Sequence, residues 1–431
     1  MTKIHELKII VIDWLRNKKL FSFLSFFSIC LYISIMFFLS YGAYYYISNI
    51  WFTITIAFCF LYVLFEKPQS QFGKTDIYFV FAFLAFLAVI TLIWAPDRQT
   101  AIAGDITFFK LMLLSISVYF SIDTPRKFSI ALYFIIIGVY SMIVVSIFYY
   151  GIDGMIDSIK GNLRLGYGFS AVNAYGESCY IAFFLSLYLG FIKKKKIFLL
   201  ISLPLAFFGA LTQSKRAIFM IGLIVLFFIV FLFRNWHLSK KQTIIILAGS
   251  AFVIIAVFFL VRSMPVFARI NDFILYLFSG ESEVDASTSE REQMIMLGLQ
   301  LISKNPFFGY GAYNYSFFLS LETGNVTYSH NNYIELMVSF GIFGLFAWLS
   351  IYLKGIFQSL KKIKEDTVLY VTLGFCLILI ISETMTVTYR TKTTYLLIGL
   401  IYAYIANIIF QNSHELKSTI SMSAEIADSK K

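Results

Sequence analysis

Charge is scarce in this chain. Only 14% of its 431 residues are Asp, Glu, Lys or Arg, against 59% hydrophobic and 19% aromatic, with a mean hydropathy of +0.79. That balance excludes an ordinary soluble domain and describes a polytopic helical membrane protein. Cysteine is scarce too. Cys30, Cys59, Cys179 and Cys376 lie in or beside apolar runs with neither pairing nor metal spacing, so they read as small core residues. There is no Walker loop, which argues against ATP-driven transport. No His/Cys cluster offers a metal site, and the loop aspartates are sparse and form no Asp-x-Asp for a metal-bound nucleotide sugar. Neither metal nor cofactor is therefore expected. Chemistry here has to run on a substrate that arrives already activated.

What the chain has is apolar length. Runs of about 17 to 21 residues, long enough to span a bilayer, lie near Leu20–Ser40, Ile50–Phe65, Ile77–Trp94, Ile106–Ser121, Ile130–Tyr150 and Ser178–Ile192. Six more lie near Ile197–Gln213, Ala217–Phe233, Thr243–Val261, Asn331–Leu353, Val368–Thr384 and Thr394–Phe410. The expected fold is all-α with about twelve transmembrane helices. The polar, basic Met1–Lys19 precedes a run that starts too late and extends too far for a cleavable signal, and reads as a cytoplasmic lead-in.

The formal charge of +11 does not call for nucleic acid, because the lysines sit in short loops and act as orientation signals. With the N-terminus inside, Lys67 and Lys74, Arg126 and Lys127, Lys193 to Lys196, Arg234 with Lys240 and Lys241, and Lys354 with Lys361, Lys362 and Lys364 all face the same side. An odd helix count breaks that agreement, so both termini are expected in the cytoplasm. The resulting organisation is a bundle of about nine helices over 1–261 with an outer loop at 151–177, a large outer loop at 262–329, C-terminal helices over 330–411 and a tail at 412–431.

The 262–329 loop is too long to be idle. Its polar Gly280–Glu292 carries a Ser-x-x-Glu pattern at Ser289–Glu292 that suits a helix start. An amphipathic Met294–Ile302 follows, and Lys304-Asn-Pro-Phe-Phe-Gly-Tyr-Gly311 reads as a turn. A folded, partly helical loop is the expectation.

Some cations sit on the side the charge rule disfavours: Arg164, Lys215, Arg216, Arg291, Arg390 and Lys392. At an outer membrane face they suit an anionic ligand, and arginine grips phosphate bidentately. The plainer reading is a helix cap or a lipid-headgroup contact; for Arg390 and Lys392 that reading is favoured, with Glu383 as a partner. His330 stands where this loop meets the next apolar run, beside Asn331 and five residues before Glu335. A lone histidine at a helix start is more often a structural donor. A neutral imidazole, with an ordinary pKa of about 6.5, is also a competent general base. Glu335 is placed to orient it or to stabilise its charged form. Gly341 and Gly344 read as packing positions.

Four stretches, in order, resemble the bacterial O-antigen polymerase and O-antigen ligase superfamily. His330-Asn331, nine residues, Gly341, two residues, Gly344 is similar to its signature. Arg164-Leu-Gly-Tyr-Gly-Phe-Ser-Ala-Val-Asn173-Ala-Tyr-Gly176 resembles the segment before a central helix. Thr212-Gln-Ser-Lys-Arg-Ala217 resembles its Thr-x-Ser-Arg-Gly/Ala element. Ser289-Glu-Arg291 followed by Lys304–Gly311 resembles its large periplasmic loop. The resemblance covers roughly residues 160 to 350. It departs at Ser214, which is followed by Lys215 and then Arg216. Either cation fills the arginine's place: Lys215 by ungapped spacing, Arg216 by its following alanine and its fork of donors.

The resemblance implies a metal-independent, inverting glycosyltransferase of the GT-C type in a bacterial inner membrane, acting at the periplasmic face. Its donor would be a glycan on undecaprenyl diphosphate. His330 would take the acceptor proton, and Arg291 and Arg216 would neutralise the departing diphosphate. Lys215, Arg164, Asn173, Asn331 and Glu335 would hold substrate. The acceptor would be a second lipid-linked repeat unit for a polymerase, or lipid A–core for a ligase, with a chain-length regulator as a further candidate partner. The His-Asn-x-Tyr-Ile-Glu and Asn-Ala-Tyr-Gly forms resemble polymerases more. A transporter of a lipid-linked anion is the reading from another class, but it favours polar groups at mid-membrane on inverted repeats. No such repeat is visible here.

Overall fold

A computed structural model describes residues 19–39, 45–66, 77–235 and 286–406. The described elements are helical: α1 (Leu20–Leu39), α2 (Tyr45–Phe65), α3 (Ile77–Thr91), α4 (Arg98–Ser121), α5 (Pro125–Ile159), α6 (Val172–Leu187), α7 (Ile197–Leu211), α8 (Lys215–Asn235), α9 (Ala286–Lys304), α10 (Asn314–Thr323), α11 (Asn332–Lys362), α12 (Leu369–Glu383) and α13 (Lys392–Ala406). Among the described residues, seven helices are long and apolar enough to cross a membrane, and α3, α7, α12 and α13 are shorter apolar helices. This is the polytopic all-α protein that composition describes. The Thr243–Val261 run and both termini lie outside the described residues.

Local chemistry explains several helix starts. Asp97 caps α4, its Oδ1 accepting from Thr100 N at 3.1 Å. Thr124 Oγ1 accepts from Lys127 N at 3.2 Å ahead of Pro125, whose missing N–H costs nothing in a first turn. The Ser289–Glu292 pattern does not set the start of α9, which begins at Ala286. The apolar residues at 3.6-residue spacing further along decide that helix. α5 extends to Ile159, broken at Gly151 (φ 64°), and α6 begins at Val172, so much of the expected 151–177 loop is helix.

The chain divides into two compact units. One comprises residues 1–32, 49–132 and 291–431, the other 33–48 and 133–290. In the first, α11 packs on α3 and α12. Trp348, Tyr352 and Tyr395 are fully buried there, and the Trp348 ring meets Tyr352 and Tyr395 edge-on at 5.9 and 5.7 Å. Between helices that cross a membrane, such close packing and interhelical hydrogen bonds, not removal from water, hold the contact together. The buried Glu383 carboxylate is tied down by polar neighbours: its Oε1 accepts from Trp348 Nε1 (2.8 Å), Tyr352 OH (2.6 Å) and Thr388 Oγ1 (2.7 Å). In the second unit α6 packs against α7 and α8. Gly176 lets it come so near α8 that an added Cβ would stand 2.7 Å from Ala217 Cβ. All four cysteines are buried and free.

Candidate active site

Within the second unit, two stretches far apart in sequence close on each other. The turn after α7 puts Gln213 in the left-handed region (φ 51°), and its Nε2 donates to the carbonyls of Gly161 and Leu163, both at 3.1 Å. Arg164 Nε donates to Thr212 O at 3.2 Å, and Leu165 N to Leu211 O at 3.1 Å. Ser214 Oγ donates to Asn173 Oδ1 at 2.9 Å. Arg216, nearly buried in the first turn of α8, donates through Nη2 to Asn173 O (2.8 Å) and to Glu177 Oε2 (2.9 Å). Arg164, Asn173 and Arg216 are thus gathered into one cluster, with the half-buried Lys215 adjoining in the chain. Sequence reading missed Glu177. The available signal was its place one helical turn after Asn173 on α6.

The first unit holds His330, Asn331, Glu335 and Arg291. Asn331 caps α11, its Oδ1 accepting from Tyr333 N (3.0 Å) and Ile334 N (3.2 Å), while its Nδ2 donates to Thr384 O (3.4 Å). His330 is half-exposed at the mouth of that helix with φ 55°, a conformation unusual outside glycine. Its ring packs on Tyr328, centroids 4.4 Å apart. Ser329 closes the turn, its Oγ donating to Asn331 O at 2.7 Å. Next along α11, Asn332 Oδ1 accepts from Thr388 N (2.9 Å) and Tyr389 N (3.0 Å), tying the 384–391 turn to the same helix start.

The bonds of Glu335 run to the backbone before His330 and to Arg390, whereas the sequence places it to orient the imidazole or to stabilise its charged form. It is fully buried; Oε2 accepts from Ser329 N at 3.0 Å, and Oε1 accepts from Arg390 Nη1 at 3.1 Å. A five-residue offset overshoots a turn, so the carboxylate reaches the backbone ahead of the histidine. The expected Arg390–Glu383 partnership is likewise replaced by Arg390–Glu335. The guanidinium carbon of Arg390 lies 3.7 Å from the Tyr313 ring centre and 5.8 Å from that of Tyr328. Burial pushes the Tyr313 phenol above its ordinary pKa, against the opposing pull of Arg390, so the phenol is neutral at physiological pH.

α9 and the turn after it touch α11 locally. Gly298 meets Ile334, where an added Cβ would come within 2.2 Å of Ile334 Cγ2, and eight residues on in each segment Ile342 N donates to Pro306 O at 2.9 Å. Leu297, Leu301, Tyr315, Leu319, Ile334 and Val338 make the core of this packing. Arg291, half-buried, lies two turns before Gly298 on the same face of α9. Among the described residues, no group of three or more His, Cys, Asp or Glu is placed to hold a metal ion.

Gly341 is more than a packing position. At φ 65° it breaks α11, and an added Cβ would meet Phe307 O at 2.0 Å. The 306–311 turn enters that break. Tyr310 N donates to Val338 O (2.7 Å) and Gly311 N to Ser339 O (2.9 Å), replacing helical partners lost at the kink.

Comparison with known proteins adds one finding. Residues 197–349 match the family model described as O-antigen ligase. No curated protein matches the chain. The matched span carries Lys215, Arg216, Arg291, His330, Asn331 and Glu335. The match covers 153 of the 431 residues and shows similarity to that family over this span.

Proposed function

We propose that this chain is a GT-C-type glycosyltransferase that works at the periplasmic face of a bacterial inner membrane, with both termini in the cytoplasm. It moves a glycan from undecaprenyl diphosphate to an acceptor sugar, as a polymerase of a surface polysaccharide. The observation that carries this reading is the His330 turn. A half-exposed imidazole is held in a left-handed conformation by the Asn331 cap and the Ser329–Glu335 bond, at the mouth of an apolar helix inside the matched span. Backbone strain of that kind costs about 1–3 kcal/mol and persists where surrounding contacts over-determine it.

In this reading His330 accepts the proton of the acceptor hydroxyl as that oxygen attacks the anomeric carbon. The bond from that carbon to the diphosphate oxygen breaks, and inversion follows from a single displacement. The leaving diphosphate carries the developing negative charge; in His330's own unit Arg291 is its counter-charge, and the resemblance assigns the same role to Arg216, Lys215 and Arg164. Asn173 helps hold Arg216 in place through its carbonyl. In this reading no metal is needed, because the arginines and Lys215 supply the counter-charge to the leaving diphosphate.

A ligase is the second reading, favoured by the description of the matched family. It keeps every residue role and changes the acceptor to lipid A–core. Purified protein given a lipid-linked repeat unit, with no nucleotide sugar and with chelator present, separates the two. A ladder of longer lipid-linked glycans, absent in His330→Ala and Arg291→Ala, supports the polymerase. Product only when lipid A–core is added makes the chain a ligase. Movement of the lipid across vesicles without any new glycosidic bond overturns the enzyme.

A further inference from the structure

Arg390 lies outside the matched span, and its sequence position suggests no more than a structural ion pair. Its surroundings bring it to His330 by two routes. Through Glu335 it reaches the chain just before the histidine: Arg390 Nη1 donates to Oε1 (3.1 Å), and Oε2 of the same carboxylate accepts from Ser329 N (3.0 Å). Through aromatic rings it reaches the side chain: the guanidinium is 3.7 Å from the centre of Tyr313 and 5.8 Å from that of Tyr328, and Tyr328 packs on the imidazole at 4.4 Å. One planar cation therefore fixes both the amide before His330 and the ring beside it. The turn that carries Arg390 is itself pinned to α11 by Asn332.

We propose that Arg390 is a positioning residue for His330, acting through Glu335 and Tyr328. The inference rests on the general-base role proposed above, and its test has a readout that does not. Arg390→Gln is expected to lower kcat about 10²-fold, the effect of misplacing a catalytic group by about 1 Å, with the donor KM unchanged. Arg390→Lys, which keeps the charge for Glu335, recovers part of the loss. The double variant His330→Ala with Arg390→Gln is expected to be no slower than His330→Ala alone, because residues acting as a unit are not additive. Independently of turnover, carbethoxylation of His330 followed by mass spectrometry is expected to change in rate in Arg390→Gln, and to stay as in the native chain in the surface variant Arg98→Gln. Should Arg390→Gln fail to fold, Tyr328→Leu cuts the ring route without stranding a buried charge, and is expected to shift both kcat and the modification rate.

Native kcat and modification rate in Arg390→Gln overturn the proposal. So does a loss that multiplies with that of His330→Ala. A rise in KM alone assigns Arg390 to substrate contact instead. If the native chain transfers no glycan, the carbethoxylation comparison still decides whether Arg390 positions His330, while the enzyme reading falls on its own assay.

Discussion

Replacing Gly341 by alanine tests whether the break in α11 is required by the turn that fills it. Alanine at φ 65°, ψ −166° would occupy a backbone region essentially confined to glycine, at about 1–3 kcal/mol. Its Cβ would also stand 2.0 Å from Phe307 O, 2.2 Å from Phe307 C and 2.6 Å from Phe308 N, all backbone atoms that cannot rotate away. Overpacking of that kind adds about 1–3 kcal/mol, for a total loss of about 2–6 kcal/mol. Gly151 supplies the control. It shares the conformation (φ 64°, ψ −176°) but has nothing within 4 Å of an added Cβ, so Gly151→Ala bears only the first part, about 1–3 kcal/mol. Reversible denaturation of both variants in detergent micelles measures the difference. Equal losses would show that the turn does not press on Gly341, and the account of the kinked helix would fail. Transfer should fall in Gly341→Ala but not in Gly151→Ala, since the displaced 306–311 turn links Arg291's helix to His330's.

Asn331→Ala removes the acceptor of two helix-start amides, and should cost about 0.5–2 kcal/mol in denaturation together with most of the transfer rate. Arg216→Ala strands the largely buried Glu177 carboxylate. A loss of about 3 kcal/mol is expected for breaking such a pair, and Arg216→Gln with Glu177→Gln should be the milder change; equal losses would refute the pairing. Hydrogen bonds from Thr100 hold the Asp97 carboxyl below its ordinary pKa. A depressed folded value means stability present above the unfolded pKa of about 3.9 and lost as pH falls through the folded value. Asp97→Asn should flatten that acid limb in pH-dependent unfolding, and an unchanged limb would contradict the cap.

Architecture was legible because a bilayer imposes length on each span. Of the twelve apolar runs, all but Thr243–Val261 fall wholly or largely among the described residues, and the described part of each coincides with a helix. Arg164–Gly176 and Thr212–Ala217 read in sequence only as two separate motifs in order; the bonds that join them depend on Gln213 in a left-handed turn, which no periodicity announces. Gly341 reads in sequence as a small packing residue. Its backbone break follows from a turn thirty residues upstream whose amides replace the lost helical ones, a long-range contact invisible to local pattern. Arg390 fails for the same reason. By sequence distance its nearest carboxylate is Glu383, yet that group is taken by Trp348, Tyr352 and Thr388, leaving Glu335, 55 residues away, as the partner.

A single-turnover experiment reaches the central claim most directly. Native protein and His330→Ala are each loaded with a radiolabelled lipid-linked repeat unit, mixed with acceptor and quenched over time, with donor binding measured in parallel. A general base contributes about 10²–10⁴-fold, so the variant should transfer slower by that factor while binding donor as the native chain does. Transfer at the native rate, or a loss explained wholly by weaker donor binding, would contradict the account.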